Sequence, residues 1–157
     1  MTHIQLSIFL ENKKGRLHDV CSFLAKHSIN IRALTVAESD DFGVLRILVS
    51  DPSKTALMLK EQGFVVHETE VVAVEVSDKP GSLARVLGII NKHHINVEYM
   101  YGFVEPSSSR AMMLFRFDSP HKACAALKAD GIAVASQKDL AGIPLFQARE
   151  LTRIIKK

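Results

Sequence analysis

The chain carries one sequence pattern twice. Lys13-Lys14-Gly15-Arg16-Leu17 reappears 66 positions later as Lys79-Pro80-Gly81-Ser82-Leu83, and Lys26-His27-Ser28-Ile29-Asn30 reappears at the same offset as Lys92-His93-His94-Ile95-Asn96. A period of this length is too long for a solenoid repeat and long enough for a small domain with its own core. The duplication therefore predicts two similar domains with one topology.

Strand and helix patterns follow the same order in both copies. β-branched and apolar runs predict strands, and apolar residues at i, i+3, i+4 and i+7 predict helices. The strands predicted for copy one are 3–10, 29–38, 44–50 and 64–68. One helix is expected after Gly15 and a second after the N-cap Asp51. The order is therefore β-α-β-β-α-β.

Copy two repeats this order with one small change. Its first two strands are predicted at 71–77 and 95–104. The next turn, 105–110, is two residues longer than its counterpart, so the offset becomes 68. At this offset Leu59 and Gly63 match Leu127 and Gly131. The copies therefore match at an offset of 66 before this turn and at 68 after it. Such a match is hard to obtain by chance and indicates a duplication.

This order predicts an α+β fold of two ferredoxin-like domains. Each would have an antiparallel four-stranded sheet with both helices on one face. The predicted domains are 1–69 and 70–136, with an extension at 137–157 that contains a short amphipathic helix. Almost no linker separates the copies, so we expect them to pack rigidly against each other.

Composition excludes several classes of protein. With 47% hydrophobic and 24% charged residues the chain is globular rather than disordered. Its apolar runs stop far short of the roughly 20 residues that span a bilayer, so no membrane is expected. The only cysteines, Cys21 and Cys124, fall in different copies and form no disulfide framework. We therefore expect a cytoplasmic protein.

One segment carries a family resemblance. Val74-Glu75-Val76-Ser77-Asp78-Lys79-Pro80-Gly81-Ser82-Leu83, followed by Ile95-Asn96-Val97, resembles the ACT domain. Copy one matches it more loosely through residues 12–17 and 29–31. The resemblance covers about residues 3–136 and implies a sensor that binds amino acids between paired domains. It leaves no room for a fused catalytic domain.

The loops at the two glycines have suitable chemistry for a free amino acid. Each glycine precedes a helix, so the first-turn amides are expected to be unpaired donors for a carboxylate. Asparagine and aspartate side chains can accept from an ammonium group. The candidate ligand-binding residues of copy one are Asn12, Gly15, Arg16, Leu17 and Asn30. Those of copy two are Asp78, Gly81, Ser82, Leu83 and Asn96.

The two candidate sites are not identical. Asn12 matches the ligand-contacting loop position of the family better than Asp78 does. Lys14, however, replaces the loop proline Pro80 and leaves the loop of copy one less constrained. The sites are therefore expected to differ in affinity, or one of them to be silent.

Each candidate residue also has a purely structural interpretation. Gly15 and Gly81 suit any turn before a helix, and Asp78 suits a helix start. Asn30 and Asn96 could hydrogen-bond a neighbouring loop without contacting a ligand. The functional hypothesis depends on the joint occurrence of these residues in both copies.

Metal binding and catalysis are not expected. The adjacent residues His93 and His94 diverge at a helix end, and no cysteine or carboxylate stands at ligand spacing. The sequence has no Ser-His-Asp or Cys-His grouping, phosphate loop or nucleotide fingerprint. We therefore predict no enzyme activity, no cofactor and no metal site.

Three aromatic residues suggest another possibility. Tyr99, Tyr101 and Phe103 share one face of a strand, as do the aromatic residues that stack bases in RNA-recognition modules. Ile95 and Val97 continue the same face, which favours packing against helices or the other copy. Since no basic residue precedes the aromatic run, we expect no nucleic-acid binding.

Together these observations predict a non-catalytic regulatory protein with a free amino acid as its effector. The ligand would lie at an interface between ACT-like domains, and the chain is expected to form a homodimer. A possible partner is an enzyme of amino-acid metabolism. The alternative is a regulatory or assembly subunit that acts through protein contacts and has vestigial ligand sites.

Overall fold

The computed structural model describes residues 1–38, 42–104, 110–136 and 139–140, and the side chains of all these except residues 38, 103 and 104. The predicted terminal helix around Leu151 lies outside them. The described residues form two compact units. The first unit contains residues 6–66 with 139–140, and the second contains residues 1–5 with 67–136.

The elements follow the predicted order. Copy one has β1 (His3–Glu11), α1 (Arg16–Lys26), β2 (Ile31–Glu38), β3 (Phe42–Val49) and α2 (Pro52–Glu61). Copy two has α3 (Ser82–Lys92), β5 (Val97–Val104), β6 (Arg110–Phe117) and α4 (Pro120–Ala129). Between them runs β4 (Val65–Ser77), a single strand where the sequence predicted two. β4 passes through residues 68–70, where the first copy ends and the second begins, without a break.

The strands of the first unit form an antiparallel ladder. β3 pairs with β1 on one side, for example Leu6 with Ile47, and with β2 on the other. Leu6, Ile47, Ile8 and Leu45 are all buried, and cross-strand pairing places them on one face. The helices bury Val20 and Leu24 of α1 together with Thr55, Ala56 and Leu59 of α2.

The second unit has the complete ferredoxin-like strand order. β6 pairs antiparallel with β4 and with β5. The other edge of β4 is bridged by Val134, and the Ala135 N–H donates to the Ala73 carbonyl at 2.8 Å. The order is therefore 133–135, β4, β6, β5. This unit and the repeated element order confirm the predicted α+β, ferredoxin-like fold.

Period-two alternation builds the core of the second unit. Val72, Val74 and Val76 of β4 are buried in one cluster with Phe115 and Phe117 of β6. The two phenylalanine rings stack with 5.2 Å between their centroids. Val86 and Ile90 of α3 and Ala123, Cys124 and Leu127 of α4 complete this cluster. Cys124 is therefore a residue of this core.

Candidate functional site

Each copy places a glycine at the start of its first helix. Gly15 precedes α1 with φ 90° and ψ −23°, and Gly81 precedes α3 with φ 87° and ψ −15°. These are left-handed backbone conformations, which a residue without Cβ adopts at little cost. Neither helix has a side-chain cap. Two loops that are 66 residues apart in sequence therefore present helix starts of the same geometry.

The backbone amides at these helix starts are only partly available. The Arg16 N–H donates to the Lys13 carbonyl at 3.3 Å, and the Ser82 N–H donates to the Lys79 carbonyl at 3.2 Å. The prediction that the Arg16 and Ser82 amides are unpaired is therefore wrong, because each loop closes as a turn before its helix begins.

The next amide along each helix is different. Among the described residues, the N–H groups of Leu17 and Leu83 have no acceptor. These amides lie in the first turn, where intrahelical acceptors are missing and the helix dipole favours an anion. Each loop therefore keeps the amide of Leu17 or Leu83 as a backbone donor for a carboxylate but not the amide that follows the glycine.

The polar side chains predicted for the ligand are exposed in both copies. Asn12 and Asp78 lie in the loops before the two glycines, and Asn30 and Asn96 lie just before β2 and β5. The Asn96 carbonyl accepts from the Asp118 N–H at 3.1 Å, so its backbone joins the loop before α4. The side chains themselves are accessible to a ligand.

Within one copy these residues do not come together. Gly15 precedes the 11 residues of α1, and Asn30 follows them. At 1.5 Å per residue the helix separates the two positions by roughly 16 Å. The same holds for Gly81 and Asn96, since α3 also has 11 residues. A free amino acid is much shorter than this distance, so neither copy alone can hold one between its glycine loop and its own asparagine.

Arg16 distinguishes the loop of copy one from that of copy two, which has Ser82 at this position. The Arg16 guanidinium lies 5.7 Å from the centroid of the Phe64 ring and 3.5 Å from the Asp19 carboxylate. Its Nε is buried and has no hydrogen-bond partner among the residues that the structure describes. Arg16 therefore adds a cation to one loop only.

Leu17 and Leu83, which follow these two residues, also differ. The side chain of Leu17 is 45% exposed, whereas that of Leu83 packs against the core of the second unit. The loop of copy one is therefore more apolar at its surface as well as more cationic.

The sequence did not indicate a charge pair beside this loop. The Lys13 ammonium lies 2.8 Å from the Glu11 carboxylate. Their hydrogen bond and charge attraction hold the pKa of Glu11 below its ordinary value of 4.5. Glu11 ends β1 and Lys13 turns back over it, a contact that only the loop conformation creates. In copy two Ser77 occupies the position of Glu11, so the pair is specific to copy one.

The two tyrosines considered for base stacking have an internal role. Gln5, whose side chain is 0% exposed, donates from Nε2 to the Tyr99 hydroxyl at 2.7 Å. The Tyr101 hydroxyl donates to the Gln5 Oε1 at 3.0 Å. These bonds satisfy the buried amide of Gln5. The side chain of Phe103 lies outside the description.

Metal-binding clusters and membrane-spanning helices are absent from the part of the chain that the structure describes. No three His, Cys, Asp or Glu side chains there are grouped so as to hold a metal ion. No helix among these residues is long and apolar enough to cross a membrane.

Comparison with known proteins gives one clear family match. The family model of the ACT domain pair matches residues 1–143. The crystal structure of a protein from Bacteroides thetaiotaomicron is 42% identical and superposes with a TM-score of 0.85, covering 90% of this chain and 97% of that one. A search of curated proteins gives no significant match. The resemblance stated from the sequence is therefore confirmed.

More distant structures share the fold. The regulatory subunit of aspartate kinase from Thermus thermophilus, in its ligand-free form, superposes with a TM-score of 0.57 at 13% identity. The alignment covers 82% of this chain and 93% of that one. The aspartokinase alpha and beta subunits give a TM-score of 0.54 at 17% identity, covering 82% and 96%. At these identities the likeness shows a common fold.

Proposed function

This chain belongs to the ACT domain pair family, and from that premise we propose that it is a regulatory protein that binds a free amino acid and catalyses no reaction. The observation that carries the proposal is the matched pair of glycine loops. Both end in a left-handed glycine, and both leave a first-turn amide without an acceptor among the described residues. A helix start of this kind suits the carboxylate that all amino acids share.

The ammonium group of the ligand needs acceptors. Asn12 in copy one and Asp78 in copy two stand in the same loops as the carboxylate donors. Their side-chain oxygens accept hydrogen bonds, and the charge of Asp78 adds attraction for a cation. We assign the carboxylate to the amides of Leu17 and Leu83, and the ammonium to Asn12 and Asp78.

The asparagines that follow the helices complete the site from another copy. Since roughly 16 Å of helix separates each glycine from its own asparagine, a ligand that contacts both kinds of residue must lie between two copies. The second copy would belong to the same chain or to a partner chain in a homodimer. Ligand binding would then stabilise one arrangement of the copies and thereby regulate a partner.

Unequal sites follow from the differences between the loops. Arg16 and Glu11 give copy one charges that copy two lacks, since Ser82 and Ser77 stand at these positions. Pro80 restrains the loop of copy two, where copy one has Lys14. We therefore propose one tighter and one weaker site for the same ligand.

The alternative function is that of a regulatory subunit without ligand, which contacts an enzyme directly. The observation in its favour is the outer strand β2, where Leu34 is 42% and Val36 49% exposed. Exposed apolar residues on an outer strand favour pairing with another chain. The Thermus thermophilus neighbour is named as the regulatory subunit of aspartate kinase, so a protein with this fold can be a subunit of an enzyme.

A thermal-shift screen of the proteinogenic amino acids tests the proposal. A ligand at 100 times its dissociation constant should raise the free energy of unfolding by about 2.7 kcal/mol. Asp78→Ala and Asn96→Ala should abolish or strongly reduce the shift, whereas Asn91→Ala, at an exposed position of α3, should leave it unchanged. If no amino acid shifts the melting curve, the alternative function is favoured.

A further inference from the structure

The first unit contains a groove whose lining residues are not among those assigned to the proposed amino-acid site, although Asn30 of that site directly follows the lining residue Ile29. It has a volume of about 330 Å³ and lies between the turn that follows α1 and the turn that precedes α2. The first wall is formed by residues 27–29 and the second by residues 50–58. Gly15 is at the opposite end of α1, so the groove and the glycine loop of this unit are roughly 16 Å apart.

The walls of the groove present mainly hydrogen-bond donors. Ser28 and Ser50 contribute hydroxyl groups, and Lys54 contributes an ammonium group. The Asp51 carboxylate also lines the groove, but its Oδ1 accepts from the Lys54 N–H at 3.1 Å and so caps α2. The Thr55 hydroxyl donates to the Asp51 carbonyl at 2.6 Å. These two bonds fix the α2 side of the groove.

His27 shapes the other wall. Its Nδ1 donates to the Phe23 carbonyl at 2.8 Å, and its ring packs against the Phe23 ring at a tilt of 42°, with 4.3 Å between the centroids. Both contacts hold the imidazole in place, so Nε2 is the ring nitrogen that remains for a ligand. Ile29 and Met58 add half-buried apolar surface nearby.

The corresponding positions of copy two have different chemistry. His93, the counterpart of His27, lies 3.9 Å from the Asp130 carboxylate. Copy one has Gln62 at the position of Asp130, so this acid is missing beside His27. Asp118 stands where copy one has Ser50, and this places a carboxylate where the groove has a hydroxyl. Copy two therefore has a lysine, Lys122, at the position of Lys54, but the groups around it are different.

From this arrangement we infer that the groove binds a small metabolite with an anionic head group, a phosphate or a carboxylate. Lys54 and the hydroxyls of Ser28 and Ser50 bind the head group, and Ile29 and Met58 contact a short apolar part. The volume is at the lower end of that of ligand pockets, roughly 300 to 1,000 Å³, which suits a small molecule. This site has other lining residues than the proposed amino-acid site and lies far from the glycine loop of its own copy, and one of its walls adjoins Asn30.

Titration of the full chain followed by ¹H–¹⁵N NMR tests the inference, with inorganic phosphate in one arm and propionate in the other. Sodium chloride keeps the ionic strength constant in both arms, because exposed charges are screened by salt. Saturable shifts are expected at the amides of Ser28, Ile29 and Lys54 in at least one arm. The arm that saturates identifies the head group. If neither arm saturates, or if the shifts fall on residues 15–17 instead, the inference is wrong.

Three variants make the assignment specific. Lys54→Gln should weaken binding by about tenfold, the effect of losing one charge-assisted hydrogen bond of 1.5 kcal/mol. The matched control is Lys122→Gln, at the equivalent position of copy two. It should change the affinity of the groove for the anion by less than about twofold. Asp51→Asn keeps a good N-cap and removes a negative charge, so it should strengthen anion binding. Equal effects of the two lysine variants, or weaker binding in Asp51→Asn, would contradict an anion site.

Discussion

Gly15 and Gly81 adopt almost the same left-handed conformation, with φ angles of 90° and 87°, although they are 66 residues apart in the chain. Each ends a turn closed by a bond from the following amide, that of Arg16 or Ser82. The duplication is thus preserved at the level of backbone geometry. The loop proline is present in only one of the two copies, so glycine rather than proline is the common requirement of this turn.

The backbone requirement at these glycines can be measured. A Cβ at Gly81 would meet nothing within 4 Å, so Gly81→Ala is penalised by its positive φ alone. We expect a loss of about 1–2 kcal/mol in the free energy of unfolding, measured by urea denaturation. Gly88→Ala is the matched control, since it lies within α3 and also has open space. It should stabilise the protein by about 0.5–1 kcal/mol. Equal effects of the two variants would contradict the claim that the positive φ of Gly81 disfavours alanine.

Gly102 is required for a different reason. A Cβ at this position of β5 would lie 2.9 Å from the Met112 carbonyl oxygen and would also meet the Met113 side chain. Gly102→Ala should therefore cost about 1–3 kcal/mol through overpacking, visible as a lower melting temperature. Gly43→Ala, whose Cβ would have its nearest neighbour at 3.9 Å, is the control and should be much milder. A wild-type melting temperature for Gly102→Ala would contradict the close approach.

The buried amide of Gln5 should make the tyrosine hydroxyls of β5 important for stability. Tyr99→Phe removes the hydroxyl that accepts from the Gln5 Nε2, a bond made by a fully buried side chain. The expected loss is about 1–3 kcal/mol in the free energy of unfolding. The double variant with Gln5→Met should lose less free energy of unfolding than the two single variants lose together, because both substitutions break the same hydrogen-bond network. Strict additivity would show that the hydroxyl and the amide act independently.

The Glu11–Lys13 pair predicts a pH effect at the loop of copy one. Because the pKa of Glu11 is lowered in the folded state, the pair stabilises the fold above the ordinary value of 4.5. This contribution is lost as the pH falls through the lowered pKa. Lys13→Ala should return the pKa of Glu11 toward its ordinary value in a ¹³C NMR titration. Lys14→Ala, which removes the neighbouring charge, should leave it low, and the opposite order would contradict the assigned contact.

Local sequence patterns predicted most of the fold because the same patterns occur in both copies. The alternation Val72, Val74, Val76 and the cap at Asp51 are local signals, and the structure confirms both. The continuity of β4 could not be foreseen, since residues 68–70 carry polar side chains typical of a turn. Nor could the attachment of residues 1–5 to the second unit, which depends on pairing between distant segments.

The candidate site was predictable only in part. The glycine loops follow from sequence, but the use of the Arg16 and Ser82 amides within their own turns is a matter of backbone geometry. The separation of Gly15 from Asn30 follows from the length of α1, and it agrees with the expectation that the ligand lies between two copies. The groove beside Lys54 has no sequence signature because two turns from different parts of the chain create it.

The central claim is that this ACT domain pair binds a free amino acid, and equilibrium dialysis against an equimolar pool of the proteinogenic amino acids tests it most directly. After dialysis, mass spectrometry of the protein compartment identifies any retained amino acid. The account predicts that one amino acid is enriched and that the enrichment falls in Asp78→Ala and Asn96→Ala but not in Asn91→Ala. An equal concentration of every amino acid on both sides of the membrane would contradict it.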